Sequence, residues 1–555
     1  MQSNKKNKLV FWLLSLILLL SVLCNVSAVA QTIGASAVPD HITLTWTQSP
    51  LTTQTITWRT DLTVKNGIVQ YAKYSDKASF PCNALSVKET ATEFDTNTGN
   101  FYIHSATLTC LASGTAYVYR VGDGVNWSDV HTFSTEANNT NKFSFLIFGD
   151  SQSGDQANPN YAPWQTTIQN AYKANPDAKF FVNVGDPVEI GQDYNHWENW
   201  FPAAKGVIDT IPDMPAQGNH ETYLPGGYST SVKPIYWEAQ FKLPANGAEG
   251  LLGQTYSYDY GNVHIVVLDS QEAEEAPING DILAAQETWL DNDLKNTDKT
   301  WKIVFFHKTP YYNKATRTNE DIKAAFCPIF DKYHVDIVFN GHDHDVSRTY
   351  PINNDTFVSS ISQGTVYYTV GRSGNKSYPD LSSKIWDAFF YDPQDQPNYI
   401  TASVDGNTLT INAFKQDGTP IDHYVMDKCA NTKAAIPTFS NTRMVIYGNM
   451  LQQPYVLVDP QQIDGKWYVS AQAFVQYIGG SASISNDQIT LVRGTTTVLT
   501  AVNSTCATIN GVNTPLPDKV LMNGSNYTVS ADDLKAMFGF SWRYDSTSNL
   551  LYFTK

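Results

Sequence analysis

The amino-acid sequence predicts a multidomain chain: an all-β sandwich, then a larger α/β core, then a small α+β repeat domain. Three observations carry this. Between Pro39 and Thr135, short alternating strand patterns such as HITLTWT, QTITWRT and TAYVYRVGDG recur at intervals of roughly ten residues, with turn residues between them. From Lys142 to Val425 the rhythm changes to apolar runs separated by helix-like stretches such as DILAAQETWLDNDLKN (Asp281–Asn296). In the last segment WYVSAQAF, from Trp467, matches NYTVSADD, from Asn526, which aligns Val469 with Val529.

The expected boundaries are a signal peptide over 1–30, the sandwich over 36–137, the α/β core over 142–428, a linker over 429–442 and the repeat domain over 443–555. Lys5, Lys6 and Lys8 precede the apolar run Phe11–Leu23, and Ala28-Val29-Ala30 supplies a small-x-small cleavage pattern. The run is short for the roughly 20 residues a membrane span needs, so export is the expectation. Charged residues make up 16% of the chain, below the usual share of about 25%. The formal net charge of −16 argues against a nucleic-acid scaffold, since phosphate backbones recruit Lys and Arg. Without the leader five cysteines remain, Cys82, Cys110, Cys327, Cys429 and Cys506. In an oxidising compartment Cys82 and Cys110 could pair, because both fall within the sandwich, though five is odd and structural or incidental roles are the expectation for the cysteines.

No acids, histidines or glycines cluster in the sandwich. The core is different. Its apolar runs KFSFLIF, AKFFVNV, WKIVFF and VDIVF lead into Gly149-Asp150, Gly185-Asp186, His307 and NGHDH (Asn340–His344), and GNHE (Gly218–Glu221) lies between. The C-terminal ends of strands are where open α/β sheets bind ligands. Taken singly these are turns or caps; in this order they make a metal site. Two cations about 3.5–4 Å apart clamp a phosphoryl group and activate water at neutral pH. Carboxylate, amide and imidazole together suit iron, zinc or manganese. Two divalent ions bring +4, and Asp150 with Asp186 returns −2, leaving the positive field that a phosphate ester needs.

The ordered motifs GD, GD, GNHE, His307 and GHDH, with FFHKTPYY and GHDHDVSRTYP, resemble the calcineurin-like metallophosphoesterases and, among them, the purple acid phosphatase-like branch. The sandwich resembles a fibronectin type III-like module, and its pieces TAYVYRVGDG and WSDVHTFST resemble the N-terminal domain of that branch. The resemblance implies a four-layer α/β/β/α core with two metal ions, Fe, Zn or Mn. It implies that Asp150 and His344 bind metal 1, that Asn219, His307 and His342 bind metal 2, and that Asp186 bridges both. His220 would face the substrate, protonating the leaving group or steadying the phosphate, and the nucleophile would be a metal-bound hydroxide. Glu221 and Arg348 read as supporting residues. Extended backbone would place His342 and His344 on one side and turn Asp343 away.

Two positions depart from the pattern. The purple enzymes carry GDxxY, whose tyrosinate colours the iron, and here the line is GDPVE, with Glu189 in the tyrosine's place. Gln152 stands where Gly or His is usual. Both are candidates for a ligand or a supporting role. His196, in YNHWENW, and the aromatics Tyr194, Trp197, Trp200, Tyr311 and Tyr312 are candidates for cleft walls, with core packing the favoured alternative.

The C-terminal segment resembles the stalk-like domain named after the N-terminal domain of copper amine oxidases, common in secreted bacterial proteins; it has no histidine, so the name implies no copper here. The resulting expectation is a secreted or envelope-associated bacterial phosphoesterase acting on phosphate mono- or diesters. Its C-terminal domain would serve envelope association or self-association. The rival is a non-catalytic surface adhesion protein with a retained metal site.

Overall fold

Two four-stranded antiparallel sheets form the first domain. One runs, in spatial order, Asp40–Thr45, Gln54–Thr60, Gly99–Leu108 and Thr90–Thr96; the other runs Leu85–Lys88, Ile68–Lys73, Ala116–Gly122 and His131–Ser134. Alternate residues such as Ile56, Trp58, Val69, Tyr119 and Val121 point inward and are buried together, which is why the period-two pattern was so plain. This computed structural model describes residues 34–314, 317, 319–450 and 459–554, so the expected signal peptide lies outside the described residues. Cys82 and Cys110, which could have paired, form no disulfide. Cys82 lies between the 3-10 turn Tyr74–Ser79 and the strand Leu85–Lys88, Cys110 lies in the connection after Leu108, and each thiol is free and exposed. Cys327 is buried on the helix Glu320–Tyr333, and burial pushes its thiol up to about 12.

The core holds two sheets. The first is ordered Phe181–Asn183, Lys142–Phe148, Asn398–Asp405, Thr408–Lys415 and Pro420–Asp427. The second is ordered Tyr256–Tyr260, Val263–Val267, Trp301–Lys308, Ile337–Gly341, Val366–Val370, Val346–Thr349 and Asp387–Tyr391. Phe181–Asn183 runs parallel to Lys142–Phe148, and Trp301–Lys308 and Ile337–Gly341 run parallel to their neighbours; on its other side Lys142–Phe148 pairs antiparallel with Asn398–Asp405. They read as continuous apolar runs because both faces are covered. Phe145 of the first sheet meets Phe305 of the second, with ring centroids 6.5 Å apart. On the far side of the first sheet, Trp164 of the helix Ala162–Ala174 packs edge-on to Phe148. The helices Ile282–Lys295 and Glu320–Tyr333 bury Leu290, Leu294, Phe326 and Phe330 against Val304, Phe306 and Val338 of the second sheet.

Arg348 fastens the two sheets together. It pairs with Asp422 at 3.1 Å and lies over the Tyr424 ring, which puts it in a structural role.

The sandwich is joined to the core by backbone. Leu44 N–H donates to the Ile208 carbonyl (3.1 Å), and Asp213 N–H donates to the Leu44 carbonyl (2.9 Å). Buried Arg59 adds a fork to Asp40 and to Glu198 of the helix Tyr194–Ala204.

At the other end, the strands Lys466–Ser470 and Asn526–Ser530 pair antiparallel, with Val469 opposite Val529. Each runs into a helix capped by its own serine, Ser470 and Ser530. The segment expected as a linker is tied down: Ala434 N–H bonds Ser359 O at 3.0 Å, Phe439 N–H bonds Ser548 O at 3.2 Å, and Ile436 and Phe439 pack on the core. Val445, Leu550 and Tyr552 share a buried cluster with Phe326 and Trp386. No described helix is long and apolar enough to cross a membrane.

Candidate metal centre

Six side chains meet where the parallel strands end. Asp150 and Asp186 each follow a glycine just past a strand, and both have φ of 53°. His342 and His344 have φ of 74° and 67°. Left-handed backbone is costly for such residues, on the order of 1–2 kcal/mol each, and its clustering at one place marks a functional site. The extended alternation expected for His342 and His344 is therefore corrected: the strand stops at Gly341, and two left-handed residues turn the imidazoles inward. Close approach explains the glycines. A Cβ on Gly218 would lie 2.2 Å from Asp186 Oδ1, and one on Gly185 would lie 2.6 Å from His307 Nδ1.

The donors gather at two adjoining foci. At the first, His307 Nε2 lies 3.1 Å from Asp186 Oδ2, 3.1 Å from Asn219 Oδ1 and 3.0 Å from His342 Nδ1. At the second, His344 Nε2 lies 3.1 Å from Asp150 Oδ1. His342 N–H donates to both oxygens of Asp150, at 3.1 and 3.0 Å, which ties the foci together. Gln152 Nε2 donates to Asp186 Oδ2 at 3.1 Å.

The hydrogen bonds fix what these groups can do. His307 Nδ1–H donates to the Val184 carbonyl (2.9 Å), and His344 Nδ1–H donates to the Lys376 carbonyl (2.9 Å). In each neutral ring Nε2 then carries a lone pair. His307 Nε2 thus faces a carboxylate oxygen, an amide oxygen and an imidazole nitrogen, more acceptors than one ring proton can answer. His344 Nε2 and Gln152 Oε1 are buried without a hydrogen-bond partner. A proton answers one such contact, whereas a cation answers them all, so these residues fit metal ions. Asp186, His307 and His342 offer ligand atoms within 4.8 Å of one another.

The electrostatics agree. Burial opposes ionisation of Asp186, yet His307 and His220 hold its carboxyl far below the usual carboxylate range. Burial also disfavours a charged His307, but Asp186 and Asp150 lift it to about 9. His342 is held well below its ordinary value by burial and by the Arg317 charge. Burial and the neighbouring Asp186 push Glu221 well up.

The remaining sequence candidates sort as follows. Glu221 Oε2 accepts from Asp186 N–H (3.0 Å) and Gly218 N–H (2.7 Å), bracing both motifs. Asp343 faces away and accepts from Asn313 N–H (2.6 Å) and Lys314 N–H (2.9 Å), with Arg317 Nε at 3.2 Å. Glu189 is not in the donor cluster: its oxygens serve Lys376 Nζ, Tyr228 Oη and Gly154 N–H. His220 Nδ1–H donates to the Glu189 carbonyl (2.6 Å), and its Nε2 lies 3.7 Å from Asp186 Oδ2. His196 bonds Tyr161 Oη at 3.0 Å, away from the ligands. Tyr194, Trp197, Trp200, Tyr311 and Tyr312 are buried core residues, as the packing alternative had it.

The sequence reading missed Lys376 and Tyr228. Lys376 Nζ lies 2.9 Å from His220 Nε2, and Tyr228 packs its ring edge-on to His220 at 5.2 Å. A signal for Lys376 was present, because GRSGNK (Gly371–Lys376) follows the apolar strand Val366–Val370 just as the other motifs follow theirs.

Comparison with known proteins gives the class first. Residues 128–346 match the calcineurin-like phosphoesterase family model. Residues 39–135 match the purple acid phosphatase N-terminal domain, and residues 450–553 match the copper amine oxidase N-terminal domain. The particular likeness is to purple acid phosphatases. Acid phosphatase type 7 of Mus musculus is 26% identical over 365 residues, covering 60% of this chain and 78% of that one. Probable inactive purple acid phosphatase 24 of Arabidopsis thaliana is 27% identical over 314 residues, half of each chain. A purple acid phosphatase from yellow lupin seeds shares the fold at a TM-score of 0.58, with 20% identity, over 70% of this chain and 74% of that one. Such a family implies a binuclear metal centre.

Proposed function

We propose that the protein is a secreted phosphoesterase that hydrolyses phosphate mono- or diesters at a dinuclear metal centre, on the α/β/β/α layering expected of such a core. The observation that carries this reading is the convergence of ligand atoms on two adjoining foci at the strand ends. Asn219, His307 and His342 would hold one ion and Asp150 and His344 the other, with Asp186 placed to serve both. Gln152 Oε1, buried without a partner, joins the second focus. Iron, zinc or manganese suits this donor set. When bound, the ions supply Lewis acidity and an activated water.

The chain's own groups do the rest. Glu221 fixes the backbone of Asp186 and Gly218, and so the orientation of the shared carboxylate. His220 Nε2, unprotonated in the neutral tautomer that its Nδ1 contact selects, accepts from Lys376 Nζ at 2.9 Å and carries no proton to deliver at rest. Burial lowers this imidazole's proton affinity further. Asp186→Ala is expected to remove both metal loading and hydrolysis, by at least about 100-fold in rate. Elemental analysis of the purified protein, coupled to mono- and diester assays across pH, checks this; full activity in the variant overturns the reading.

A second reading has one observation in its favour, the matched Arabidopsis relative named as inactive. It makes the chain a metal-loaded, non-catalytic surface protein, and inertness of the loaded protein across a phosphoester panel would establish it. In either case the C-terminal domain is proposed to serve envelope association or self-association, which cell fractionation and sedimentation test.

A further inference from the structure

Glu189 occupies the position at which the family resemblance expects a tyrosine, and its carboxylate is spent on something other than a metal. Its side chain is fully buried, Oε2 accepts from Gly154 N–H at 2.9 Å, and Oε1 takes both Tyr228 Oη–H and Lys376 Nζ at 3.1 Å. Burial opposes its ionisation, but His220 and Lys376 hold it ionised below the ordinary glutamate range.

The lysine is held at both ends. Ser373 N–H donates to Gly149 O (2.7 Å), Gly374 N–H to Asp150 O (3.0 Å) and Asn375 N–H to Gln152 O (3.1 Å), so its loop runs in register with the first metal motif. An ammonium has three N–H groups. One goes to Glu189 and one to His220 Nε2 at 2.9 Å, and one remains. The side chain is 16% exposed, at the rim of the site beside the Tyr228 ring. Neutralising a buried glutamate accounts for one of the three donors. It does not account for an ammonium set against the imidazole that borders the metal foci.

We propose that Lys376, anchored by Glu189, contacts the substrate and selects phosphate monoesters over diesters. This rests on the phosphoesterase reading above. A monoester presents three non-esterified oxygens and nearly two charges above its second pKa of about 6, whereas a diester has one charge and a second organic group to accommodate. The remaining N–H and the positive charge of Lys376 meet the oxygen that only a monoester offers, and its bulk with Tyr228 occupies the space a second ester group needs. Glu189 is a positioning residue, acting through Lys376.

The test uses the metal-loaded full chain, with Lys376→Met and Lys376→Arg. Metal content, kcat/KM for an aryl phosphate and for a bis-aryl phosphate, and calorimetric binding of inorganic phosphate are measured for each. Lys376→Met is expected to keep its metals, to lose about 10–100-fold on the monoester and on phosphate binding, and to change less than about 3-fold on the diester. Lys376→Arg is expected to rebuild most of the monoester preference. Equal losses on both esters, or an unchanged ratio, overturn the proposal. Loss of metal from Lys376→Met together with no rebuilt ratio in Lys376→Arg also overturns it. If the native protein hydrolyses neither ester, the phosphoesterase reading and the selectivity fall together, and phosphate binding alone then decides whether Lys376 contacts the anion.

Discussion

Of the buried histidines that sit beside carboxylates, His264 and His307 make the sharpest contrast, and of these two only His307 lies in the candidate metal centre. His264 lies on the strand Val263–Val267, with Nδ1 2.8 Å from Asp259 and Nε2 2.8 Å from Asp293. His307 has the Val184 carbonyl on Nδ1 and, around Nε2, a carboxylate, an amide and a second imidazole. Both rings are lifted to about 9 despite burial, His264 by hydrogen bonds to Asp259 and Asp293 and His307 by Asp186. The shift alone does not separate them. At His264 every ring nitrogen has its own anion and a single imidazolium closes the set. At His307 lone pairs outnumber protons, and one proton cannot satisfy them. Surplus acceptors, with the ring anchored through its other nitrogen to backbone, distinguish a cation site from an ion triad.

That contrast can be broken by experiment. The largest effect is expected at His307: replacing it with Ala should weaken metal binding by more than about 100-fold, whereas His264→Ala should leave metal content unchanged. Elemental analysis after dialysis against graded chelator reads both. Equal metal loss in the two variants would erase the distinction.

A moderate effect is expected on stability at His264. Its folded pKa of about 9 exceeds the unfolded value of about 6.5, so its stabilisation is complete below pH 6.5 and disappears as pH rises through 9. His264→Leu should therefore cost about 2–3 kcal/mol near pH 6 and much less near pH 10. Denaturant unfolding at the two pH values tests the sign, and a larger cost at high pH would refute it.

The smallest effect is an absence. With Glu189 committed to Lys376, Tyr228 and Gly154, the iron-loaded protein should show no tyrosinate charge-transfer band in its visible spectrum. A purple holoprotein would show that a tyrosine reaches the metal after all.

Much of this was legible in the sequence, for physical reasons that differ by region. The sandwich showed because one face of each strand is buried and the other is wet, which prints a period of two on the residues. The six donors showed because they follow apolar strands in a fixed order, and their glycines are forced by contacts as short as 2.2 Å at Gly218. The role of Glu189 was hidden, since its partners Lys376 and Tyr228 are remote in sequence and nothing local announces an ion pair closed by tertiary structure. The backbone turn at His342 and His344 was hidden too, because histidine is at home in extended as well as left-handed backbone, and tertiary contacts choose between them. The state of Cys82 and Cys110 was left open by the sequence, because membership of one domain does not say whether two separate connections come together.

The join between sandwich and core has a bearing on modularity. The peptide groups of Leu44 bond Ile208 and Asp213 directly, and Arg59 is the cation against which Glu198 is buried. A chain shortened to begin at Lys142 would strip those partners from the core and leave Glu198 without its counter-ion. Exchange of this sandwich for that of a relative would succeed only if the new strand presented the same backbone register and the same guanidinium. The first domain is thus less a detachable bead than a wall of the core, and the two have to be inherited, or engineered, as one piece.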